Sequence, residues 1–68
     1  MNLDIRLNIK NNLKNDDVNE IISTIDESTK TNDELVLPGL GVILELFWNE
    51  LNKEEKEKIA NIIIKKIS

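Results

Sequence analysis

A chain of 68 residues holds one domain at most, and chains this short rarely draw more than about 3–5 kcal/mol from a single core. It contains no Cys and no His, which excludes disulfides and any His/Cys zinc site and leaves helix packing, association with a second copy, or marginal stability, with monomer and homodimer equally open. The net charge of −4 belongs to the first half, where four basic side chains face eight acidic ones against five of each in residues 35–68, so the clustered Lys and Arg that nucleic-acid binding needs are missing.

Residues 3–9 alternate Leu3, Ile5, Leu7 and Ile9 with polar residues, a strand pattern, while Ile5, Ile9 and Leu13 also fall at helical spacing. A lone strand has no partner elsewhere in the chain, so a short helix over about 3–14 is predicted. Residues 1–14 are expected to be the more loosely ordered part of a single helical domain spanning 1–68.

A second helix is predicted over 15–29. Asn15 or Asp16 is placed to cap it, and Asp17 with Glu20 has capping-box spacing. Val18, Ile21, Ile22 and Ile25 form its apolar stripe, with Glu20, Ser23, Thr24 and Glu27 on the solvated side. Residues 30–37 read as a connection in which Thr31 and Glu34 have the spacing to cap one extra turn. Leu37, preceding Pro38, is expected to be extended, and Pro38 suits a first helical position.

The third helix, about 38–51, is the centre of the predicted fold. Leu40, Ile43, Leu44, Phe47 and Leu51 share one broad face at about 100° per residue, with Trp48 at its flank. Val42 and Leu46 project from another side, leaving Gly41, Glu45 and Asn49 as a narrow polar strip. Two early glycines are costly in a helix, so Gly39 and Gly41 point to close approach of another backbone or a special dihedral angle. Asn52 and Glu55 then open a fourth helix with a capping box. Ile59, Ala60, Ile63, Ile64 and Ile67 make its apolar face, Glu54 and Lys58 an i, i+4 pair, and Ile62 lies off the stripe.

Candidate chemistry is sparse. Without His, Cys or Tyr, only carboxylates and lysines remain as acid or base groups. Ser23, Thr24 and Ser28 have no base beside them and read as solvated surface. Glu45, flanked by apolar residues, is the carboxylate to watch: buried, its pKa would rise, whereas on the strip with Gly41 and Asn49 it is an ordinary surface acid. Gly39-Leu40-Gly41 is no dinucleotide fingerprint, since Leu44 stands where the third glycine belongs and no P-loop Lys-Ser/Thr follows. Asp16, Asp17 and Glu20 lack the spacing of a calcium loop and suit a helix start. No catalytic or metal residue, cofactor or small-molecule substrate is expected. Met1-Asn2-Leu3-Asp4 has neither the basic region nor the apolar run of a leader, and the apolar stretch between Glu34 and Glu45 is half of what a spanning helix needs. A soluble intracellular chain with no membrane partner is expected.

The run Leu37-Pro38-Gly39-Leu40-Gly41-Val42, followed by Ile43-Leu44-Glu45-Leu46-Phe47-Trp48, resembles the small acid-soluble spore proteins of the I type. The family pattern is Leu-Pro-Gly-Leu-Gly-Val, two large apolar residues, Glu, two more apolar residues and Trp, and each class is met here. The resemblance extends more loosely along the whole chain and is weakest in the N-terminal third. It implies production in the forespore and residence in the spore core. It brings no catalytic or ligand-binding residues and no mechanism, and the acidic balance independently argues against a DNA coat.

The sequence therefore predicts an all-α fold, a small bundle of three to four short helices around segment 38–51. Leu37, Pro38, Gly39, Leu40, Gly41, Val42, Leu44, Glu45, Phe47 and Trp48 supply its motif and core, and Val42, Leu46, Trp48 and Ile62 are candidates for an interface. The leading expectation is a minor, non-enzymatic spore-core protein acting by protein association or by its bulk presence, with a second copy or another spore protein as the partner in the first case. A small regulatory module docking another protein's helix and a DNA-associated spore protein are the alternatives.

Overall fold

Short polar side chains set the element boundaries. In the computed structural model, which describes residues 4–68, four α-helices and one 3-10 turn follow in order: α1 Ile5–Leu13, α2 Val18–Lys30, the turn Glu34–Val36, α3 Leu37–Trp48 and α4 Lys53–Ile67. The described residues contain no strand, and none of their helices is long and apolar enough to cross a membrane. The fold class is all-α, as the periodicity requires. Leu3, part of the predicted first helix, lies outside the described residues. The alternation of Ile5, Leu7 and Ile9 is carried by a helix, which Asp4 starts by accepting a hydrogen bond from the Leu7 N–H at 2.9 Å.

Asp17, rather than Asn15 or Asp16, caps α2. Its carboxylate accepts from the Glu20 N–H at 2.9 Å while Glu20 Oε1 accepts from the Asp17 N–H at 3.3 Å. The same reciprocal box opens α4, with the Glu55 N–H donating to Asn52 Oδ1 at 2.8 Å and the Asn52 N–H to Glu55 Oε1 at 2.9 Å. That box holds Asn52 extended, with ψ at 175°, so α3 ends at Trp48 and not at Leu51. The Glu50 and Leu51 N–H groups close the end with short-range bonds to Phe47 and Trp48 carbonyls.

Two expectations for the connection change. The extra turn is capped by Asp33, which accepts from the Leu35 N–H at 2.9 Å, and Thr31 instead accepts from the Asp33 N–H. Leu37 is helical, with φ −61° and ψ −43°, not extended. The 3-10 turn runs straight into α3, the Leu37 N–H bonding the Glu34 carbonyl, and this continuity overrides the bias against helix before proline. Pro38 still sits in the first turn, where its missing N–H leaves no bond unmade. In α4 the i, i+4 ion pair is Lys53 with Glu57 at 4.0 Å, in place of Glu54 with Lys58.

Packing is where the sequence reading and the molecule diverge most. α1 docks on α3 against the side that carries Gly39, Val42 and Glu45. Val42, expected both in the motif and core and at an interface, is 6% exposed and is the single buried hydrophobic of the described residues, so it belongs to the core and not to an exposed interface. The face expected to be core divides: Leu40, Ile43 and Leu51 are half-buried, Leu40 and Ile43 lining the cleft with α1, while Leu44 is 46% and Phe47 40% exposed, and Leu37 is exposed too. A helix apolar on nearly every side fits either rotation, and the docking of α1 selects this one. α2 is turned in part: Ile21 and Ile25 of its stripe are half-buried as expected, but Thr24 and Ser28 line the cleft between α1, α2 and α3 while Val18 and Ile22 face solvent.

The result is an open arrangement. The radius of gyration is 13.6 Å, against about 11 Å for a compact chain of this length. The accessible surface is 6164 Å², where a compact monomer of 7.8 kDa exposes about 4,400 Å².

Candidate interaction surface

Two features of α3 organise the candidate site, one polar and one apolar. The polar one is Glu45. It lies on the exposed side with Gly41 and Asn49, but it is not a solitary surface acid. Arg6 of α1 grips it with two parallel hydrogen bonds, Nε to Oε1 at 2.9 Å and Nη2 to Oε2 at 3.0 Å, the fork geometry that guanidinium and carboxylate favour. The bond from Arg6 lowers the Glu45 pKa below its ordinary value, desolvation opposing and the charges of Arg6 and Lys10 helping. The same bond and the Glu45 charge raise Arg6. The arrangement is the reverse of a proton donor in an apolar pocket, so Glu45 serves to fix α1 on α3. Sequence reasoning missed Arg6. Its partner lies 39 positions away, and the only available signal was a lone Arg in an otherwise acidic segment.

Both partners are exposed, so salt screens the pair and its contribution is modest. Because the folded-state pKa of Glu45 is depressed, its contribution is present above the unfolded-state value of about 4.3 and is lost as pH falls through the lowered folded-state value. Glu45→Gln should therefore lose stability relative to the parent at neutral pH but match it in acid. The gap should narrow in high salt. Thermal midpoints by circular dichroism, taken across pH 2–7 (roughly the carboxylate range) at two ionic strengths, check this.

Gly39 completes the α1 contact. A Cβ built on it would stand 3.3 Å from Ile9 Cδ1, whereas one on Gly41 meets nothing within 4 Å, and neither glycine has positive φ. The approach served by Gly39 is thus to a side chain rather than to a backbone, and Gly41 has no steric role.

The apolar feature is the cleft between α3 and α4. Leu44 and Trp48 from α3 and Ile59 and Ile63 from α4 line it, with Glu45 and Asn49 at its rim, around about 370 Å³. Lys56 Nζ lies 5.4 Å from the Trp48 ring centroid, within cation–π range, and ties the base of α4 to α3. Beyond Ile59, α4 is exposed throughout. Ile62 is 60% and Ile67 79% exposed, with Ile63 and Ile64 also open. Leu46 is exposed on α3, and Trp48 is half-buried. The apolar surface left uncovered thus extends well past Leu46 and Ile62. It takes in most of what the sequence assigned to the α4 core face, because α4 packs on the rest of the chain only near its start.

The family described as small, acid-soluble spore protein I matches residues 3–67. Similar proteins carry the same description. That of Halalkalibacterium halodurans is 32% identical over 63 residues, covering 93% of each chain. That of Geobacillus kaustophilus is 33% identical over 63 residues, covering 93% of this chain and 91% of its own, and that of Shouchella clausii is 33% identical over 46 residues. No solved structure matches the chain. With the match running through all four helices, from α1 and its Arg6 to the open face of α4, the chain belongs to the small, acid-soluble spore protein I family.

Proposed function

We propose that this protein serves in the spore core, without catalysis, by associating with protein. Membership of a spore-protein family supports the setting. The observation that carries the association is the apolar surface of α3 and α4, since exposed patches of this kind mark interaction sites. The titratable groups give no competing reading: Glu45, the carboxylate gripped by a guanidinium, is already engaged by Arg6, and its pKa moves away from the range that proton transfer at neutral pH requires.

Immunodetection in acid extracts of decoated dormant spores and of growing cells tests the setting. A signal confined to the decoated spores is the expected result. Detection in growing cells would overturn the assignment and bring forward a regulatory module that docks another protein's helix. Chemical cross-linking inside forespores should yield species above the monomer mass, and their absence would defeat the association.

A further inference from the structure

We propose that the uncovered α3–α4 surface is an isologous dimer interface, in which α4 of each chain lies antiparallel along the α3–α4 cleft of a second copy. The proposal rests on the association reading above and names its partner.

The first observation is area. The chain exposes 6164 Å², roughly 1,800 Å² more than a compact monomer of its mass. A standard interface takes about 800 Å² from each partner, and obligate homodimers take more. A small ligand or short peptide in the cleft leaves most of this excess wet, whereas a second folded chain covers it.

The second observation is that one patch supplies both halves of the contact. The cleft of Leu44, Trp48, Ile59 and Ile63 is a groove, and the exposed end of α4 beyond it, with Ile64 and Ile67, is a ridge. Groove and ridge on the same surface are what a two-fold contact requires, since each copy must offer what the other accepts.

Charge fixes the direction. At about 100° per residue, Glu55 and Lys66 lie on the same edge of α4, at opposite ends of its apolar face. A two-fold axis perpendicular to the helices keeps like edges together, so antiparallel pairing sets Glu55 of each copy beside Lys66 of the other, twice per dimer. Ile59 then stands opposite Ile62 and Ile63. Parallel pairing would instead crowd Lys65 and Lys66 of both copies at one end and align the two helix dipoles.

Sedimentation equilibrium of the full chain over roughly 1 µM to 1 mM is the first test, and a dimer is expected. Ile63→Asp should weaken association at least about 100-fold, while Ile22→Ser, an exposed position on α2, should leave it unchanged. The chain has no cysteine, so single Glu55→Cys and Lys66→Cys chains read the direction without touching the apolar face; Glu55→Cys also removes half of the α4 capping box, so its helicity by circular dichroism is matched to the parent first. Oxidation of their mixture should form the 55–66 cross-link, and Lys66→Cys alone should not cross-link. A monomer at all concentrations overturns the proposal and leaves the cleft to a different protein's helix. A disulfide between two copies of Lys66→Cys overturns the antiparallel arrangement. Neither result depends on where the protein resides, so the spore-core assignment stands or falls separately.

Discussion

Replacing Val42 by Asp should remove the cooperative thermal transition of this protein. Val42 is the one buried hydrophobic of the described residues, in a slot shared with Ile5, Arg6 and Pro38 between α1 and α3. A carboxylate there loses most of its water in an apolar slot, and the Arg6 beside it is exposed and already shares its charge with Glu45. A buried unpaired charge costs several kcal/mol, which equals or exceeds what a domain of this size holds. Val42→Ala removes two methyl groups and should cost about 2 kcal/mol, leaving a measurable but lower transition. Thermal melts followed at 222 nm compare the two. They should be run at one fixed protein concentration, since anything that binds only the folded chain raises the midpoint. A Val42→Asp melt as high and as sharp as the parent's would show that α1 does not rest on this slot.

The two glycines should answer in opposite directions. Gly41→Ala meets open space at ordinary helical dihedrals, so it should stabilise by about 0.5–1 kcal/mol through propensity alone. For a domain this small that raises the melting midpoint by roughly 2–8 °C. At Gly39 the first added carbon already presses on Ile9 Cδ1 at 3.3 Å. Gly39→Ala should be close to neutral, because the tip of Ile9 has room to give while the helix gains a better former. Gly39→Leu drives a whole side chain into α1 and should cost about 1–3 kcal/mol. The ranking Gly41→Ala above parent above Gly39→Leu, read as thermal midpoints, separates a steric requirement from family habit within one motif. Equal responses at both positions would overturn the assignment of Gly39 to the α1 contact.

Local chemistry was the most legible part of this fold. Asp17 with Glu20 and Asn52 with Glu55 announce their helices because a capping box is complete within four residues and needs nothing from the rest of the chain. The rotation of α3 could not be read the same way. Leu40, Ile43, Leu44 and Phe47 make the wider apolar face, and counting alone puts all four inside, whereas Leu40 and Ile43 are half-buried and Leu44 and Phe47 stay open. The face that α1 covers is chosen by Gly39 against Ile9 and by Arg6 on Glu45, contacts that join positions about 30 and 39 apart and leave no periodic trace. α2 follows the same logic: its Ile stripe predicts one inward face, but the cleft it closes is lined by Thr24 and Ser28. The candidate surface was glimpsed in Leu46 and Ile62 and underestimated, because α4 was assumed to bury its stripe within its own chain. Its long exposed end lies beyond the reach of α3, and no pattern within fifteen residues says how far a neighbour extends.

The position of Trp48 has a practical consequence. It is the sole tryptophan, and the chain has no tyrosine, so ultraviolet-excited emission comes from one indole. That indole lines the α3–α4 cleft with Lys56 beside its ring. Any occupant of the cleft strips water from it and changes the colour and intensity of its fluorescence. The protein thus carries an intrinsic optical probe at the surface where association is expected, and binding there can be followed by titration without attaching a dye.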